Sequence, residues 1–150
     1  MRPDLSRVGP PFHNYINQVP EDDLMEAFSR QSAAFIRFLE TIPSEKYDYR
    51  YAEGKWSIKE VLQHIIDAER VFAYRALRFA RKDSTPLPGF DENLFAANAR
   101  ADKRSWDKLV EEFKVVRRSS ELMFQSFDDD QLQSGGISSN LPNYVLALGF

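Results

Sequence analysis

The sequence predicts an all-α protein, an antiparallel up-down four-helix bundle, and three features carry that expectation. Three segments of 20-odd residues repeat apolar side chains at the three-and-four spacing of a helix face. Proline, capping and charge signals bound these segments. No apolar–polar alternation of strand length interrupts them, so the segments should stack on one another as a bundle.

The first helix is expected over 20–42. Pro20 suits a first helical turn, and Glu21, Asp22 and Asp23 follow where the helix dipole favours negative charge. The apolar stripe is Leu24, Phe28, Phe35, Phe38, Leu39 and Ile42, and Pro43 stops it. A polar, tyrosine-rich loop follows to Lys55. The second helix, over 57–82, has the best start signal: Ser57 and Glu60 read as a capping box, with Trp56 and Val61 as a hydrophobic staple. At 1.5 Å per residue it would be about 39 Å long. The proline- and glycine-punctuated stretch 84–93 connects to a short helix at 92–98 and a third long helix over 102–127. That third helix shows Trp106, Leu109, Val110, Phe113, Val116, Ser120, Met123, Phe124 and Phe127 on one face. A brief helical turn at 131–133 and a loop over 134–140 lead to Pro142, read as the first turn of a fourth helix over 143–150. Residues 1–19, with three prolines, read as an extended arm.

Composition narrows the function classes. The 150 residues suit one domain, 1–150, and 43% hydrophobic with 29% charged residues is ordinary for a packed core. Without cysteine there is no disulfide, thiolate zinc ligand or thiol nucleophile, which fits a reducing compartment. A net charge of −3 gives no general attraction to nucleic acid or an anionic membrane. No stretch is apolar enough to span a bilayer or serve as a signal peptide, so a cytoplasmic location is expected. No Ser–His–Asp arrangement, P-loop or dinucleotide fingerprint is present.

Residues 55–83, KWSIKEVLQHIIDAERVFAYRALRFARKD, closely resemble the signature second helix of the DinB/YfiT-like family. PLPGFDENLF at 86–95 and SGGISSNLPNYVLALGF at 134–150 are similar to that family's loops and the start of its last helix. The resemblance implies a four-helix bundle, often dimeric, holding a divalent metal such as zinc or nickel on three histidines. One histidine comes from the second helix and two from an H-x-x-x-H pair on the fourth. It also implies a metal-dependent enzyme of hydrolase or thiol S-transferase type, some relatives using a low-molecular-weight thiol. This sequence departs from the pattern, because its two histidines are His13 and His64. Only His64 is carried over as a ligand. The histidine pair is due where the sequence stops at Phe150, so the expected bundle lacks most of its fourth helix. The faces left uncovered would favour a homodimer.

The remaining candidates are weighed against blander roles. Outside the resemblance, His64 reads as a bundle-lining imidazole satisfied by a neighbour. One turn away, Glu60 and Asp67 could orient that ring. Glu69 needs a partner near the apolar face, and Arg75 is the expected one. Arg75, with Arg78, Arg81 and Lys82, could hold the carboxylate of an anionic thiol, or could simply complement the helix C-terminus. His13 reads as an arm histidine. Two functions follow: a metal-dependent enzyme centred near His64, or a non-catalytic dimeric bundle that binds a ligand or partner.

Overall fold

The computed structural model describes residues 4–7, 9–139 and 141–145. Six α-helices lie within them: α1 (His13–Gln18), α2 (Leu24–Thr41), α3 (Ile58–Ala80), α4 (Glu92–Ala99), α5 (Trp106–Gln125) and α6 (Asp129–Leu132). The all-α bundle is as expected, and the long segments fall within a few residues of their predicted bounds. The arm is not simply extended, since two short 3₁₀ turns and α1 break it up.

Capping chemistry sets the helix starts. Asp23 accepts hydrogen bonds from the backbone of Met25 and Glu26, so α2 begins after its acidic run rather than at Pro20. Ser57 and Glu60 close the predicted capping box on α3. Asp91 caps α4, and Asp128 with Gln131 makes a second capping box on α6.

α5 packs along both α2 and α3, and α4 lies against α3. The core divides into two apolar clusters. One joins Phe28, Ala76, Phe79, Leu87, Phe124 and Phe127. The other joins Leu39, Leu62, Ile66, Trp106, Leu109 and Phe113. Along each long helix a polar residue falls between the two: Ser32 on α2, Glu69 on α3, and Arg117 with Ser120 on α5. This belt is held by its own pairings. Ser32 donates to Glu121 at 2.7 Å, and Arg117 pairs with Glu69 at 2.8 Å. Glu69 therefore finds its cation across the bundle on α5 and not at Arg75. Phe38, on the apolar stripe expected of the first helix, lies largely outside the core.

The predicted fourth helix is the main correction. Leu141–Val145 is a strand, β2, paired antiparallel with β1 (Gly135–Ser138). Residues 146–150, the rest of that predicted helix, lie outside the described residues. The physical reason is a tight turn. Ser138 pairs with Leu141, and Ser139 takes φ +54°, the left-handed conformation of two-residue hairpin loops. Pro142, read as a helix-starting proline, is equally at home in an edge strand. Gly136 lets β1 approach α3, because a Cβ there would lie 2.3 Å from the Phe79 ring. Leu87 adds a bridge on the other side of β1, through hydrogen bonds with Ile137 and Ser139.

Candidate functional site

A groove of about 510 Å³ lies between α3 and α4, lined by Asp67, Arg70 and Val71 from α3 and by Leu94, Phe95 and Asn98 from α4. His64 stands one turn before Asp67 on the same helical face, three residues or about 4.5 Å of rise away. Its imidazole is half-buried, with the Trp56 ring 4.9 Å away between centroids.

Asp67 is fixed by a ring of polar side chains. Gln63, one turn earlier on α3, donates from Nε2 to Asp67 at 3.0 Å, and its Oε1 accepts from Arg104 Nη1 at 2.5 Å. Arg104 also pairs with Glu112, which accepts Arg70 at 2.7 Å, and Arg70 Nη1 lies 3.9 Å from Asp67. Burial raises the Glu112 pKa, but Arg70 and Arg104 outweigh it and hold the carboxyl below its ordinary value. Gln63, Arg104 and Glu112 went unnoticed in the sequence. The i to i+4 spacing of Gln63 and Asp67 was the available signal, whereas Arg104 and Glu112 lie some 40 residues further on.

The other predicted residues are occupied elsewhere. Glu60 accepts the backbone N–H of Ser57 at 2.6 Å and pairs with Arg50 at 2.5 Å, so it serves the helix start and not His64. Burial pushes its pKa up, and the bonds from Arg50 and Ser57 bring it below the ordinary value. Arg75 is buried between the Phe72 and Phe90 rings and donates to Pro88 O at 3.0 Å and Ser139 Oγ at 3.2 Å. It ties the 86–90 loop and the hairpin to α3. Arg78 is bonded to Asp83 and Tyr74, and it holds the Asp83 carboxyl well below the usual carboxylate range. Arg81 lies over the Phe127 ring, and Lys82 pairs with Asp130 at 2.8 Å. The basic helix end is thus trimmed by aromatic and acidic neighbours. His13 opens α1.

A metal on this framework needs several donors converging on one point. Among the described residues no three histidine, cysteine, aspartate or glutamate side chains do so. His64 offers one imidazole, and Asp67 beside it is already engaged by Gln63. The donor set among the described residues does not fit a closed metal site.

The fold and site define an all-α bundle in which Asp67 lines a groove and His64 stands one turn before it on α3. The chain belongs to the DinB superfamily, whose family pattern it matches over residues 27–149. A protein of Oceanobacillus iheyensis named as a "putative metal-dependent hydrolase" is 32% identical over 87 residues, covering 53% of this chain and 50% of that protein. The match therefore spans about half the length of that relative. The structure of YfiT from Bacillus subtilis, described as a "probable metal-dependent hydrolase with an unusual four-helix bundle topology", superposes with a TM-score of 0.70. It covers 87% of this chain and 82% of that one at 12% identity, a likeness of fold alone. No helix among the described residues is long and apolar enough to cross a membrane.

Proposed function

We propose that this protein is an enzyme of the DinB metal-dependent class, hydrolytic in type, and that its reaction takes place in the groove between α3 and α4. The observation that carries the place is the shared face of α3: His64, Asp67 and Val71 follow at helical spacing, and the last two line the groove. Similarity to a protein named as a "putative metal-dependent hydrolase" supports the class. In this reading His64 is the one imidazole this chain would give a divalent ion such as zinc or nickel, the other donors not being found among the described residues. One imidazole holds such an ion loosely, so metal would exchange rather than co-purify.

The chain's other contributions do not depend on the ion. Asp67, held by Gln63 and the arginine–glutamate ring, is a positioned carboxylate able to accept a proton from water or substrate in the groove. Leu94, Phe95 and Val71 supply apolar wall for a substrate body. Thiol transfer is the less favoured chemistry. Its proposed anchor, Arg75, already donates to Pro88 and Ser139 from a buried position.

A non-catalytic bundle is the competing reading, favoured by the packing of His64 on Trp56 and by the absence of a donor cluster among the described residues. A screen of ester and amide substrates with added zinc or nickel separates the two. Hydrolysis that falls at least tenfold in both His64→Ala and Asp67→Asn supports the enzyme. Activity unchanged in both variants contradicts it.

A further inference from the structure

A second cavity, unrelated to the groove, lies where the polar belt reaches the surface between α2 and α3. It holds about 160 Å³. Phe35 and Ile65 form its walls, Phe113 and Ser32 are buried at its base, and Gln31 stands at its exposed rim beside Arg117. Its size matches that of a cavity of about 150 Å³ known to take benzene. Three of its six lining side chains are apolar, so a ring or a branched aliphatic body fits the walls.

The polar lining decides the rest of the ligand. Arg117 gives Nη1 to the Gln31 carbonyl oxygen at 2.9 Å and pairs through Nη2 with Glu69 at 2.8 Å. Gln31, having spent its oxygen on Arg117, still has its amide N–H groups to donate. Ser32 spends its proton on Glu121, leaving lone pairs. The cavity therefore offers the Gln31 amide as a donor and the Ser32 hydroxyl oxygen as an acceptor. It offers them at no net charge, because Glu69 neutralises Arg117. A carboxylate entering here would bring an uncompensated charge, which burial penalises. A neutral carbonyl brings an acceptor without that penalty, and an amide N–H can use the Ser32 oxygen.

From this geometry we infer that the cleft between α2 and α3 binds a small neutral amide with a ring-sized or branched apolar body. The site stands independently of the groove and of His64.

Titration of the isotope-labelled full chain with benzamide, benzoate and benzene, followed by NMR, tests the inference. Benzamide should shift the signals of Phe35, Ile65 and Phe113 and bind more tightly than either companion. Gln31→Leu, an exposed position that should leave folding intact, should weaken benzamide roughly 10-fold, the scale of one lost hydrogen bond, and leave benzene unchanged. Tighter binding of benzoate would overturn the neutral class. Equal binding of benzene and benzamide, or no effect of Gln31→Leu, would overturn the polar recognition. Shifts confined to other residues, or none, would overturn the site. Ile65→Phe, which fills the cleft, should abolish the response whatever the head group.

Discussion

Arg117 and Glu69 show how one buried pair shapes this bundle. Each is nearly enclosed, with side-chain exposures of 13% and 4%, and the arginine also lies over the rings of Phe28 and Phe113. Removing one partner strands the other, so Glu69→Ala should cost about 3–5 kcal/mol in urea denaturation. The paired change Glu69→Leu with Arg117→Met should come close to wild-type stability, since apolar replacements of similar volume leave no buried charge. Gly136 is a second sensitive point. Alanine there meets the Phe79 ring, and we expect a loss of about 1–3 kcal/mol by the same measurement. The sequence had marked Glu69 as needing a cation, and Arg75, further along the same helix, was the expected one. The true partner lies 48 residues on, brought alongside only when α3 packs on α5.

Among the elements, α3 was the most legible because its start is written in adjacent residues. Ser57, Glu60 and the apolar run after them specify a helix before any tertiary contact forms. Ser57→Ala should therefore lower stability by about 1 kcal/mol, read as a drop in melting temperature. The hairpin was hidden for the opposite reason. Its strands are short, its glycines and serines carry no periodic pattern, and Pro142 followed by an apolar run imitates a helix start. What decides it is the left-handed Ser139 and the close seat of Gly136 on Phe79, which appear only with α3 in place. The groove was half legible: the His64–Asp67 spacing was visible, whereas its far wall on α4 and the ring that holds Asp67 depend on packing.

For the whole molecule, two expectations concern solution behaviour. Glu60 and Glu112 are held below their ordinary carboxyl value of 4.5 in the folded state. Their pairings stabilise the fold above that value, and the contribution fades as pH falls through the lower folded-state pKa. Urea midpoints measured from pH 7 down to pH 3 should decline at the acid end, with a shallower decline in Glu112→Gln. Phe38, Val61 and Val115 remain exposed on the long helices, so we propose that two copies associate. Sedimentation at micromolar concentration should give a dimer, and a clean monomer would rule that out.

Addition of zinc or nickel to protein made without a histidine tag, followed residue by residue by NMR, tests the central proposal. The first signals to move should be those of His64 and Asp67, in a saturable, readily reversed titration that His64→Ala removes. Movement that begins at His13 or on the acidic surface, or a titration untouched by His64→Ala, would contradict a metal-dependent site on that face of α3.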